Sequence, residues 1–146
     1  MSDSFLRRLL IFTDETVEAQ RSLEKLLPDI FTPMGYEVLT YDLHQVRERK
    51  TDVGEIINVF KPQTVLWQLS VPFRLRLEEF INAEKLKPQE TRFILLSPID
   101  ESIINRVLEK QFGDQRRREI VFMPFEIDEL VRSIANESIR RGKERE

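Results

Sequence analysis

Five short apolar runs, separated by stretches with helical spacing, constrain this chain more than any other feature of its sequence. The runs are Leu9-Leu10-Ile11-Phe12, Tyr36 to Leu39, Val65-Leu66-Trp67, Phe93-Ile94-Leu95-Leu96 and Ile120-Val121-Phe122-Met123. Unbroken apolarity without alternation marks strands covered on both faces, and such strands belong to parallel sheets. The first intervening stretch places Ala19, Leu23, Leu26, Leu27, Ile30 and Phe31 on one helical face, and Pro28 and Pro33 are expected to break or kink its end. Val53, Ile56, Ile57 and Phe60 mark a second helix, and Leu77, Phe80 and Ile81 a third. A fourth carries Ile103, Ile104, Val107, Leu108 and Phe112, and a fifth, from about Glu126, carries Ile127, Leu130, Val131, Ile134, Ala135 and Ile139. Gln45 to Thr51, Lys85 to Glu90 and Gly113 to Arg118 read as irregular connections.

Strand and helix alternating five times predict a doubly wound α/β domain, because right-handed crossovers place helices on both faces of a parallel sheet. The expected strand order is 2-1-3-4-5, with a functional site at the carboxyl ends of the strands beside the switch in order. Those ends are Thr13-Asp14-Glu15, Gln68-Leu69-Ser70, Ser97-Pro98 and Met123-Pro124. The domain is expected to span residues 1–139, followed by a charged C-terminal tail over 140–146.

Composition removes whole classes of chemistry. With no cysteine there is no disulfide, thiolate metal site or thiol nucleophile, and a single histidine, His44, excludes a histidine cluster. The four glycines approach no closer than Gly35 and Gly54, so no glycine-rich loop cradles a phosphate. Lys and Arg number 23 against 26 Asp and Glu, a net charge of −3 that lacks the basic excess of a nucleic-acid binder. No stretch approaches the roughly 20 apolar residues of a membrane span, and the N-terminus lacks a signal-peptide core. A soluble, cytoplasmic protein is expected.

Four segments stand in order within this βα frame. They are the first run with Thr13-Asp14-Glu15, the segment Lys61 to Pro72 with Val65-Leu66-Trp67-Gln68 at its centre, the strand Phe93 to Ser97, and Val121-Phe122-Met123-Pro124-Phe125 continuing to Leu130. Together they resemble the receiver domain of two-component response regulators, in a degenerate, pseudo-receiver form that covers essentially the whole chain. The resemblance implies a flavodoxin-like fold. It also implies an Asp at the end of the third strand that accepts a phosphoryl group and Mg²⁺ held by that Asp and by acids after the first strand. A Ser or Thr and a Lys would then grip the phosphoryl oxygens.

Carried over residue by residue, the acceptor position is Gln68, the Lys position Met123 and the Ser/Thr position Ser97. A neutral amide forms no acyl phosphate and removes one hard anionic oxygen from the metal. Thr13 stands in place of the first acid and Asp14 in place of the second, or a slip of one residue pairs Asp14 with Glu15, leaving these two as a vestigial metal site. The aromatic switch position on the fifth strand is Ile120. Losing carboxylate and lysine together keeps the pocket's charge balance and removes the switch. The resemblance also makes Met123-Pro124 a candidate for a cis bond.

Local readings stand beside these. Asp14 and Glu15 precede a helix, where acids cap free N–H groups. Gln68 reads as a structural hydrogen-bonding residue, Ser97 as a turn residue, His44 as loop surface and Trp67 as core. Arg116-Arg117-Arg118 reads as solvated, or as a grip for phosphate or an acidic partner.

The expected function is a stand-alone pseudo-receiver signalling module, not an enzyme, that acts by protein–protein contact without Asp phosphorylation and needs no cofactor. The alternative is a phosphorelay receiver phosphorylated at an unconventional residue, Asp14 or Ser70. Nucleic-acid association through the arginine-rich loop and tail is a weaker third reading. The partner would be a signalling protein or a second copy, docking on the fourth helix, fifth strand and fifth helix through Arg106, Lys110, Asp128 and Arg132.

Overall fold

The computed structural model describes residues 7–14, 18–113, 118–122 and 127–135. Five parallel strands, β1 (Arg7–Thr13), β2 (Tyr36–Asp42), β3 (Thr64–Gln68), β4 (Arg92–Ser97) and β5 (Glu119–Phe122), form one sheet in the order β2-β1-β3-β4-β5. Six helices connect them: α1 (Glu18–Phe31), α2 (Leu43–Arg47), α3 (Val53–Phe60), α4 (Phe73–Glu84), α5 (Glu101–Phe112) and α6 (Ile127–Ala135). This is the doubly wound, flavodoxin-like architecture that the alternation predicts.

Burial follows position in the sheet. Every residue of β3 and β4 is buried, because both strands have neighbours on each side and helices on each face. The edge strands β2 and β5 are largely half-exposed. Two cores result. One packs Phe12, Trp67, Phe80 and Phe93 with Leu43, Ile57, Leu77 and Ile104 beneath α2 to α5. The other packs Leu27 and Phe31 of α1 with Leu130 and Ile134 of α6 against Leu9, Ile11, Leu66 and Ile94. Aromatic contacts run through the first core, with ring centroids 4.9 Å apart for Phe12 and Trp67, 6.2 Å for Trp67 and Phe80 and 6.1 Å for Phe80 and Phe93. Such pairs each contribute about 0.5–1.5 kcal/mol beyond the area they bury.

Two expectations are corrected. Pro28 lies inside α1, which continues to Phe31, because Leu27 and Phe31 are fully buried on the sheet and hold the last turn in place. The Thr32 N–H then bonds the Pro28 carbonyl at 3.0 Å, so a turn rather than the proline ends the helix. The second correction is α2. The stretch after β2 reads as irregular, yet Asp42 caps a five-residue helix by accepting from the His44 N–H at 3.0 Å, while buried Leu43 pins it to the core. His44 therefore sits in a helix, exposed as expected, with Glu48 3.9 Å from its Nε2. The Val71-Pro72 bond is cis. Met123-Pro124, expected to be cis, and the tail from Arg140 lie outside the described residues.

Candidate functional site

Parallel register brings the ends of β1 and β3 together. Phe12 pairs with Trp67, so the residues that follow stand at the same level. There the Asp14 backbone N–H donates to Gln68 Oε1 at 3.2 Å. Both side chains are buried, Asp14 and Gln68 each at 1% exposure. The bond gives Gln68 the structural role that its amide suggests. Thr13 is also buried, and its hydroxyl has no partner among the described residues.

The Asp14 carboxylate is closed in from two sides. The Ser70 hydroxyl, carried on the turn after β3, donates to Oδ2. Arg47, from the last turn of α2, donates to the same oxygen through Nη2 at 3.1 Å. Arg47 also donates through Nε to both Glu79 oxygens, at 3.2 and 3.1 Å, and Arg76 Nη1 donates to Glu79 at 2.9 Å. Asp14, Arg47, Glu79 and Arg76 thus form a chain of alternating charge in which two acids meet two guanidinium groups.

This arrangement decides what the site can hold. Mg²⁺ requires near-octahedral oxygen ligands, several of them anionic or water. At the ends of β1 and β3 the described side-chain oxygens are one carboxylate, already taken by a guanidinium and a hydroxyl, one amide oxygen, already taken by a backbone N–H, and the neutral hydroxyls of Thr13 and Ser70. The described residues at this place do not fit Mg²⁺. A permanently protonated arginine sits where a divalent cation's charge would be needed. Among the described residues no group of three or more acids or histidines is placed to hold a metal. Glu15 and Met123 fall outside the described residues.

Ser97 is fully buried, and its Oγ donates to the Ile99 carbonyl at 2.8 Å and accepts from the Ile99 N–H at 3.0 Å. It shapes the turn into α5, as its local reading suggests. Of the arginine run, Arg118 has left the solvent. Its side chain, 3% exposed, pairs with Glu84 of α4 at 2.7 Å, so it is not available to grip a phosphate. Arg116 and Arg117 lie outside the described residues. Arg106 and Lys110 on α5 and Arg132 on α6 are exposed, and Asp128 falls in the first turn of α6.

Arg47, Glu79 and their link to Asp14 have no signature in the sequence pattern. The cap at Asp42 is the signal that would have exposed α2.

Among solved structures, the chain is similar to the pseudo-receiver domain of the CikA protein, determined by NMR, with 16% sequence identity over 89% of this chain and 95% of that chain and a TM-score of 0.50. The fold is that of a pseudo-receiver domain. No protein-family model and no curated protein matches the chain. At the carboxyl ends of β1 and β3 in this fold, Gln68, Asp14, Ser70 and Arg47 are joined by hydrogen bonds. Replacing Arg47 with Met is expected to cost about 2–4 kcal/mol, since it removes a cation from a buried carboxylate while leaving the Ser70 bond. Urea unfolding of the two proteins measures it, and a loss under about 0.5 kcal/mol would show that the pair is solvated.

Proposed function

We propose that this chain is a pseudo-receiver signalling module that acts through protein–protein contact and is not phosphorylated on aspartate. The observation that supports this reading most directly is the closure of Asp14. The carboxylate at the switch point is buried and held by Arg47 and Ser70, and the neighbouring acceptor position, Gln68, carries no carboxylate. Neither atom that a phosphodonor would need is presented. On this reading the chain catalyses no reaction, takes no cofactor and works in the cytoplasm; no helix among the described residues is long and apolar enough to cross a membrane.

One contact favours the second reading, phosphorylation at Asp14 or Ser70. The Ser70 hydroxyl donates to the Asp14 carboxylate, as a nucleophile does to a base. Its burial weighs against it, Ser70 being 4% exposed. Intact-mass measurement after incubation with acetyl phosphate and Mg²⁺ separates the two. No stoichiometric gain of a phosphoryl group is expected; a gain that maps to Asp14 or Ser70 and is lost in Asp14→Asn or Ser70→Ala would establish the second reading.

The surface we assign to partner contact is α5, β5 and α6, and the partner is a second copy of this chain. Ile103 on α5 is 47% exposed and Phe122 at the end of β5 is 51% exposed, and α5 and α6 also carry Arg106, Lys110, Asp128 and Arg132. Both signs of charge suit a self-complementary contact across a two-fold axis. Sedimentation over a concentration series should show a dimer that Arg106→Glu weakens at least about tenfold, a difference of about 1.4 kcal/mol. A monomer at every concentration would exclude this face as a dimer interface.

A further inference from the structure

α2 is the shortest of the six helices, and it sits above poorly filled space. A cavity of about 270 Å³ lies among α2, α3 and α4, lined by Leu43 and Val46 of α2 and by Val53, Leu86 and Trp67. Empty space supplies no partner atoms for dispersion attraction, so part of the inner face of α2 gains no packing there. Five residues are also too few for a helix to persist without tertiary contacts. The chain then leaves the helix through Arg49 at φ 62°, a left-handed conformation that residues with a side chain rarely hold.

The ion pairs of α2 divide into two kinds. His44 and Lys50 each pair with Glu48, inside the segment itself. Among the described residues, the pairs that reach other elements are both made by Arg47, through Nη2 to Asp14 and through Nε to Glu79 of α4. Glu79 is 29% exposed and shared with Arg76 of its own helix, whereas the Asp14 side chain is 1% exposed. Water screens a buried pair least, so Asp14 is the stronger of the two ties.

We propose that α2 is a latched cover, held closed over this cavity by the Arg47–Asp14 pair. Removing the charge at Asp14, or drawing Arg47 away from it, loosens α2 while the sheet stays folded. The helix then lifts about Arg49, and Leu43 and the cavity lining meet water. The buried carboxylate at the end of β1 thereby has a role that needs no phosphoryl group, because it sets how often a surface helix opens. The device does not involve the face assigned to partner contact.

Amide hydrogen exchange, followed residue by residue by NMR, tests the latch. The Glu48, Arg49 and Lys50 amides donate to the carbonyls of His44, Val46 and Gln45, so they report on α2 and its exit. The Leu69 amide donates to the Leu96 carbonyl and reports on the central strands. In the parent, the α2 amides should exchange faster than Leu69, and their exchange should still rise with urea, more gently than that of Leu69, because lifting uncovers Leu43 and the cavity but not the sheet. Asp14→Ala alters no residue of α2, yet it should speed the α2 amides at least about tenfold and leave them faster than Leu69, the change expected when one charge-assisted hydrogen bond is lost. Arg47→Met should do the same. If Asp14 were merely structural, Asp14→Ala would speed Leu69 and leave the α2 amides unchanged, or bring both to one common rate, and either result would overturn the latch. Two results in the parent would also overturn it. One is α2 amides that exchange no faster than Leu69, so that the helix opens only when the whole chain unfolds; the other is exchange indifferent to urea, which is fraying of the last turn alone. The urea series on the parent decides these points even if Asp14→Ala does not fold.

Discussion

Replacing Arg118 with Met is expected to cost about 3–5 kcal/mol of folding stability, the range found when one partner of a buried ion pair is removed. The Arg118 and Glu84 side chains are 3% and 7% exposed. Arg118 Nε donates to both Glu84 oxygens at 3.0 Å, and Nη2 donates to Oε1 at 2.7 Å. Without the guanidinium, the carboxylate stays in the interior without its principal counter-charge. At about 2–4 °C per kcal/mol for a chain near this size, the melting temperature should fall by roughly 10 °C. The pair itself need not add net stability, because bringing both charges out of water costs about as much as their attraction returns. The double variant Glu84→Leu/Arg118→Met should therefore recover most of the loss. Thermal and urea unfolding of the three proteins test this. A single variant within about 1 kcal/mol of the parent would mean that water reaches the pair.

The Arg118 result bears on what a single sequence can convey. The order and type of the five strands are legible because burial on both faces writes an unbroken apolar run into each central strand. β2 is legible only as far as Leu39, although it extends to Asp42. An edge strand is covered less completely, so Thr40, Tyr41 and Asp42 carry no apolar run. A helix of five residues such as α2 is too short to show a period. The ion pairs are silent for a different reason. Arg47 reaches Asp14 and Glu79, 33 and 32 positions away, and Arg118 reaches Glu84, 34 positions away. Charge alone does not say which arginine in a charged stretch turns inward. The positions of Gln68 and Asp14 are legible from the receiver-like frame; the cation that closes their site is not, because it comes from a helix that the frame does not contain.

That closure predicts the consequence of restoring charge at the acceptor position. Gln68→Glu keeps the length of the side chain and its acceptor for the Asp14 N–H, and changes an amide into a carboxylate. The surrounding chain already balances, with Asp14 and Glu79 against Arg47 and Arg76. A third negative charge, placed where Gln68 Oε1 lies 3.2 Å from the Asp14 amide nitrogen, outnumbers the two cations of this cluster among the described residues. Burying such a charge belongs to the few changes that exceed about 4 kcal/mol, and a loss of that size is expected at pH 7. The pH dependence carries the sign. Burial and the neighbouring Asp14 raise the folded-state pKa of the introduced carboxyl above its unfolded value of about 4.3. The penalty is then full above the raised pKa, shrinks as pH falls through it, and is gone below about 4, where both states are protonated. Because acid also protonates the other carboxylates, the quantity to follow is the difference in unfolding free energy between Gln68→Glu and the parent, measured from pH 7 to pH 4. A difference that narrows with acid would support a site kept neutral by Gln68. A small, pH-independent difference would mean that Arg47 can leave Asp14 and serve the new carboxylate, and that the closed arrangement is not what keeps the acceptor position uncharged.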